Sequence, residues 1–475
     1  MPCHPLFWII DKVVSLFRAV PFIILLAFIA PVTQKIVGTQ IGTTAALVPL
    51  SVGVFPFYAR QVQVALESVD HGIIESAESL GATNWDLIFG VYLSEARSEL
   101  IRVSTVTLIS LVGLTAMAGA IGAGGLGNMA ISYGKIFPFG DGRANLIAEL
   151  GTGESDQVLA LEGHQDTVAV AHPENWEHDP FKGEIVGDKI YGRGAADMKS
   201  GLASEVIALC ELADKGQVPN GTIRLIATSG EEFGAPGAYK IEPKYIDDVD
   251  AMIVGEPSDG DVTYAHSGSL NYQITSTGKP AHSSTPDLGL NAITGLVKYI
   301  QAEPGLFDDL PVDPVLGKVQ HSITVINGGE QVNIIPGSAS LLGNVRPTPS
   351  FNNDNVIELI QTAVDKINDE TPYHLEFKLI HNFYPIETDK NNSFVQDAYQ
   401  VTKKDYHNHD SDLIVNNGAT DASVYVQEND QMAVILLGPD KNNTSHQINE
   451  YTTLSSYLDT IDAYQDIAND FFAKK

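Results

Sequence analysis

The stretch LALEGHQDTV, residues 159–168, is a short apolar run that closes on His-Gln-Asp. An apolar run of this length before a polar turn predicts a buried strand, here Val158–Glu162. Its end presents an imidazole, His164, and two residues on a carboxylate, Asp166. In open α/β sheets ligands gather outside the carboxyl ends of the strands. The ends of the other buried strands are therefore where partners for His164 are expected.

The same device recurs along the chain. TIRLIATSGEEFG (222–234) predicts a strand over Thr222–Thr228 that ends in the paired acids Glu231 and Glu232. AMIVGEPS (251–258) ends an apolar strand on Glu256, and AVILLGPDKNNTSHQINEY (433–451) follows the strand Ala433–Leu437 with His446. YGRGAADMKSG (191–201) sets Asp197 in a glycine-bounded turn before a helix that opens near Lys199. Each alone has an ordinary reading, and Asp197 suits a helix N-cap. Adjacent acids at a strand end, however, are costly unless a proton or a cation offsets them. Together His164, Asp197, Glu232, Glu256 and His446 form a mixed nitrogen and oxygen set. Such a set suits Zn²⁺, and also Co²⁺ or Mn²⁺. Glu231, beside a ligand, is placed to act as general base, and Asp166 to orient the His164 ring.

These motifs, in this order, resemble the metallohydrolase family of succinyl-diaminopimelate desuccinylase, acetylornithine deacetylase, aminoacylase and glutamate carboxypeptidase. The resemblance covers residues 142–475. It implies an α/β metallohydrolase, a mixed sheet flanked by helices, with an inserted α+β lid and dimerisation domain. Residues 142–265 and 381–475 would form the catalytic domain and 266–380 the lid. The resemblance also implies two divalent metal ions. His164 and Glu256 would hold one, Glu232 and His446 the other, and Asp197 would bridge them. Asp166 would orient His164, and Glu231 would be the catalytic acid/base.

Within the lid, LNYQITSTG (270–278), SITVINGG (322–329) and ASLLGNVRP (339–347) read as strands, and 291–302 and 353–369 as helices. The resemblance assigns His282 to the substrate carbonyl oxygen, often across a homodimer formed through the lid. It assigns Asn333 and Arg346 to substrate binding, and an arginine fork suits a carboxylate. The loop GATDAS (418–423) is expected to line the pocket. The implied reaction is hydrolysis of the amide of an N-acyl amino acid. It is most like the desuccinylase step of diaminopimelate and lysine biosynthesis. An acetylornithine deacetylase-like deacylase or a metallo-dipeptidase or carboxypeptidase is the alternative. Well-studied desuccinylases carry an arginine after Ser-Asp-Gly, where this chain has Thr-Asp-Ala-Ser (420–423), and basic residues where it has His266 and Ser267.

Residues 1–134 read differently. Three uncharged runs, Ala19–Val32, Ile41–Ala59 and Val103–Ser132, suggest membrane helices, since about 20 apolar residues cross a bilayer core. Between them ESAESLGATNWDLIFGVYLSEA (75–96) resembles the coupling loop of ABC-transporter permeases, with Glu75, Ala77 and Gly81 at the pattern's positions. The stretch that follows looks like the methionine-importer branch. This implies an all-α transmembrane permease fragment that docks an ABC ATPase subunit through residues 75–96. A methionine-import component is the reading from this other class. The join, 135–141, carries turn-forming Pro and Gly. The fragment is expected in the membrane and the catalytic domain in the cytoplasm.

Charge separates the same two parts. Of the net −31, residues 1–137 hold 7 basic and 8 acidic side chains, or −1, and the remainder 21 and 51, or −30. An acidic surface of this size repels nucleic acid and anionic lipid. The two cysteines, Cys3 and Cys210, form no disulfide framework, and Cys210 reads as a small core residue of a helix.

Overall fold

The computed structural model describes residues 12, 22–39, 43–69, 71–97, 100, 103–104, 107, 134–140, 142–407, 409–440 and 443–473. The chain divides into two compact units, Met1–Lys135 and Ile136–Lys475.

In the first unit, helix α1 (Phe22–Val37) packs on α2 (Thr43–Glu67), and α3 spans His71–Ser79. The segment Thr44–Leu66 is long and apolar enough to cross a membrane, about 35 Å at 1.5 Å per residue. Among the described residues it is the one helix that meets that test; α1 is too short. Most of the run Val103–Ser132 lies outside the described residues. Of the three expected spans, Ile41–Ala59 thus falls largely on α2 and Ala19–Val32 partly on the shorter α1, and Val103–Ser132 is largely outside what is described. Glu75 and Ala77 lie on α3, and Gly81 closes it in the left-handed region, φ 86°, with its N–H on the Glu78 carbonyl at 2.9 Å. Thr83 and Asp86 then cap each other at the start of the next helical stretch.

The second unit is built on a nine-stranded sheet. Its strands are β1 (Gly134–Gly140), β2 (Arg143–Gly151), β3 (Val158–His164), β6 (Thr222–Thr228), β7 (Ala251–Val254), β8 (Val262–His266), β15 (Ile386–Glu387), β16 (Leu413–Asn416) and β17 (Ala433–Leu436). They run in the order β1-β2-β6-β3-β7-β17-β8-β15, with β16 also on β8. The stretch 136–140, expected as a turn, is instead part of an edge strand. Pro138 is tolerated there because an edge strand leaves N–H positions unpaired. Strands β6, β3, β7 and β17 are mutually parallel, so their carboxyl ends share one edge. They are mainly apolar and almost entirely buried, as parallel strands covered by helices require, with Glu162, His164, Arg224 and Thr228 as the buried polar exceptions of β3 and β6. Helices α4 (Lys199–Asp214) and α8 (Leu454–Ala473) pack together, α7 (Ser393–Asp405) packs on α8, and α4 lies on β3. Cys210, on α4, is half-buried rather than a core residue. A small sheet of β4 (Glu184–Val186), β5 (Lys189–Tyr191) and β18 (Tyr451–Thr453) ties the chain around Asp197 to the segment after His446.

Between β8 and β15 the chain leaves to form the lid. Its sheet, β11-β13-β9-β14, is antiparallel: β9 (Ser269–Thr277), β11 (Gln320–Gly328), β13 (Ser338–Arg346) and β14 (His374–Phe383). Helices α5 (Ala292–Leu306) and α6 (Asn353–Glu370) cover one face, burying Leu270, Tyr272, Ile274, Leu341 and Val345. The period of two leaves Asn271, Asn344 and Arg346 on the other face. A two-stranded ladder of β10 (Ala281–His282) and β12 (Ile334–Ile335) stands apart from this sheet.

Candidate metal centre and cleft

The shared edge of the parallel strands brings the five predicted ligands together. His164 ends β3 and is buried. Its Nε2 lies 3.2 Å from Asp197 Oδ1 and 3.7 Å from Glu256 Oε1. His446 Nε2 lies 3.2 Å from Asp197 Oδ2 and 2.9 Å from Glu232 Oε1. Asp197 therefore presents one oxygen to each imidazole, dividing the set into two groups that share it. Two donors each about 2.1 Å from one tetrahedral Zn²⁺ sit about 3.4 Å apart. The observed separations bracket that value, so the residues fit a divalent cation in each group. Ligand atoms of His164, Asp197 and Glu232 lie within 4.8 Å of one another.

The electrostatics describe the same demand for positive charge. Burial alone would lower His164, but the Asp197 hydrogen bond and the charges of Glu256, Glu231 and Asp197 raise it well above its ordinary value. Hydrogen bonds donated to Asp197 and Glu232 lift His446 to about 10. Asp197 is pulled the other way: its burial is outweighed by hydrogen bonds from both imidazoles, which hold it below the usual carboxylate range. Burial, reinforced by Asp197, pushes Glu256 up to about 8. Burial, reinforced by Asp421 and Glu256, raises Glu231 well above an ordinary carboxyl.

Asp166 meets the His164 ring through its main chain. His164 Nδ1 meets the main-chain carbonyl of Asp166 at 3.1 Å, against 3.7 Å to its carboxylate. A carbonyl can only accept, so Nδ1 carries a proton, and Nε2, facing the carboxylates, is the nitrogen that would ligate a cation on giving up its own proton. The Asp166 carboxylate instead accepts the main-chain N–H groups of Gly230 at 2.5 Å, Glu231 at 3.2 Å and Glu232 at 3.3 Å. It fixes the turn that carries both acids.

Two further acids carried no local signal. Glu450 is buried, accepts from Ala196 N at 3.0 Å and Asp197 N at 3.1 Å, and pairs with Arg193. Its partners lie some 250 residues earlier, beyond any spacing rule. Asp421 of the GATDAS loop is buried, lies 2.5 Å from Thr228 Oγ1, and is pushed up to about 6 by burial.

The ligand carboxylates open into a cavity of about 700 Å³ between the catalytic sheet and the lid. Arg346 lines it, as do Glu231, Asn271, His381 and residues 418–420. His282 and Asn333 do not. Both are exposed beside the β10–β12 ladder, where Ser283 N donates to Asn333 O at 3.0 Å and His282 Nδ1 lies 2.8 Å from Ser284 Oγ. The separate ladder holds them off the cavity of their own chain.

Residues 160–470 match Peptidase family M20/M25/M40, and residues 4–148 match a Binding-protein-dependent transport system inner membrane component. A Staphylococcus aureus protein named probable succinyl-diaminopimelate desuccinylase is 35% identical over 368 residues, covering 72% of this chain and 89% of that protein. The fold is similar to an M20 family metallo-carboxypeptidase from Sulfolobus solfataricus, with TM-score 0.60, 19% identity and coverage of 72% and 90%. It is also similar to a dinuclear metal binding M20 peptidase from Bacillus subtilis, with TM-score 0.54, 17% identity and coverage of 74% and 91%.

Proposed function

The chain belongs to peptidase family M20/M25/M40 and is a metal-dependent hydrolase of that family, and on this premise we propose that it cleaves the amide of an N-acylated amino acid. The observation that carries the reading is Asp197 shared between two histidine–carboxylate groups, with Glu231 half-buried on the same cavity wall. His164 and Glu256 would hold one divalent ion, Glu232 and His446 the other, with Asp197 common to both. Zn²⁺ suits this donor set best, and Co²⁺ or Mn²⁺ also suit it. Such ions, when bound, polarise an acyl carbonyl and acidify a shared water.

Glu231 takes the proton of the attacking water and returns it to the leaving amine. Its half-buried carboxyl, raised in pKa by desolvation, is a stronger base than an ordinary carboxylate and so suited to taking that proton. Asp166 keeps the Glu231 backbone in place while that transfer occurs. Arg346 steadies a substrate carboxylate. His282, exposed and outside its own cavity, would reach the acyl oxygen from a second copy docked through the lid. Likeness to the named desuccinylases supports succinyl-diaminopimelate as one candidate substrate of a biosynthetic, cytoplasmic deacylase. Other N-acyl amino acids and dipeptides fit the same chemistry.

Glu231→Gln tests the assignment. It should cut turnover of an N-acyl amino acid by about 10²–10⁴-fold while zinc content, read by elemental mass spectrometry, stays unchanged. Wild-type turnover in that variant overturns the role.

For residues 4–148, the match to a transport-system membrane component supports a second reading. That part associates with a membrane and docks a transporter ATPase subunit on residues 75–96, with Glu75, Ala77 and Gly81 in the contact.

A further inference from the structure

The open face of the lid sheet carries a group of polar side chains at the end nearest the metal centre. Asn271 on β9 stands directly opposite Asn344 on β13 and His381 on β14. Arg346 lies two residues beyond Asn344 on the same face. His381 reaches that face because of the irregularity between Leu379 and His381: Leu379 pairs with Tyr272 and His381 with Asn271, so Ile380 is the extra residue. Without the bulge, Ile380 would stand opposite Asn271. The Asn271 carbonyl oxygen accepts from Asn344 Nδ2 at 2.6 Å, which leaves the Asn271 amide N–H groups available as donors. Arg346, Asn271 and His381 all line the cavity shared with the metal centre.

The charge on this face is a single positive one. Arg346 is half-buried and, among the described residues, has no carboxylate partner. Burial and the neighbouring Arg346 push His381 down to about 4, so it stays a neutral imidazole. Across the cavity stand Asp197, Glu231, Glu232 and Glu256. Their four negative charges equal those of two divalent cations, which leaves no surplus positive charge there. The remaining cavity wall adds no Lys and no second Arg among the described residues. Beyond it, residues 138–475 carry −30. Within the cavity of one chain, a substrate with one carboxylate finds one cation flanked by neutral donors, and a second carboxylate finds none.

We propose that the cleft is a single-carboxylate site. It takes N-acyl amino acids or dipeptides whose one carboxylate is held by Arg346, Asn271 and His381, and it discriminates against acyl groups that bear a second carboxylate, succinyl included. The reaction itself rests on the deacylase reading above, whereas the charge count rests on the lid.

The test uses the full-length, zinc-loaded chain with the N-acetyl and N-succinyl derivatives of one amino acid, and the N-acetyl carboxamide. Hydrolysis is followed in the wild type, and binding by calorimetry in Glu231→Gln, so that recognition is read without turnover. The expected result is that acetyl exceeds succinyl, and carboxylate exceeds carboxamide, each by roughly 10–10²-fold. Arg346→Ala should bring the carboxylate-to-carboxamide ratio close to one. Asn271→Asp, nearly isosteric, should lower it by placing a negative charge in the same group, and serves if Arg346→Ala does not fold. Equal or stronger use of the succinyl compound, a ratio unchanged in these variants, or no binding of any of the three overturns the proposal. Binding preferences as expected, with no hydrolysis of any compound by the wild type, leave the proposal standing and overturn the deacylase reading instead.

Discussion

Glu450 does not line the cavity, yet one of its oxygens holds the main chain at Asp197 and the other pairs with Arg193. Arg193 in turn reaches the His446 carbonyl at 3.4 Å. One carboxyl thus couples two ligand-bearing segments. Glu450→Ala should cost about 3–5 kcal/mol in urea unfolding, because it strands a guanidinium whose side chain is only 4% exposed. A cost under 1 kcal/mol would show that Arg193 finds water or another acceptor. At this scale the five ligand candidates were legible, since each imidazole or carboxylate stands just beyond a buried strand or at a helix entrance. Glu450 was not, although it lies four residues after His446, because its meaning depends on partners far away in the chain. His381 was hidden for a related reason: only the bulge at Ile380 turns it toward the cavity.

Gly201 shows how elements aim those residues. It lies in the first turn of α4, and a Cβ there would come 1.8 Å from the Gly255 carbonyl oxygen at the end of β7. The missing side chain lets the helix start that follows Asp197 approach the strand end that precedes Glu256. Gly201→Ala should destabilise the protein by about 1–3 kcal/mol and weaken zinc binding in a competition titration with a chromophoric chelator. Unchanged zinc affinity would separate helix packing from ligand placement. The buried parallel strands were readable as apolar runs bounded by Gly and Pro. Strand β14 was not, because HLEFKLIHNF alternates only in part and its bulge breaks the period. Strand β1 was missed for the opposite reason: Pro138 and its flanking glycines signal a turn, and only the edge position accommodates them.

For the molecule as a whole, the metal-free charge pattern sets the pH response. His446 stands at about 10, Glu256 at about 8 and Asp421 at about 6, all above their ordinary values. A group with a raised folded pKa stabilises below its unfolded value and loses that contribution as pH rises through the folded one. Asp197, depressed, works the other way and loses its contribution only in acid. Without divalent ions the second unit should therefore lose stability as pH rises from about 4 through about 10, first through Asp421, then Glu256, then His446. Zinc takes over from the protons, so the rise in Tm on adding zinc after EDTA treatment should be larger at pH 8 than at pH 5.5. A zinc-induced rise that is equal at both values, read by scanning calorimetry, would contradict this. Every group assigned to a cation lies outside Ser269–Phe383, and Arg346, Asn271 and His381 all lie inside it. That insertion departs and returns between β8 and its antiparallel neighbour β15, so exchanging it leaves the strand order intact. Descent can therefore revise which compounds are accepted while the bond-breaking apparatus stays as inherited, and kinship in one half is a poor guide to the diet set by the other.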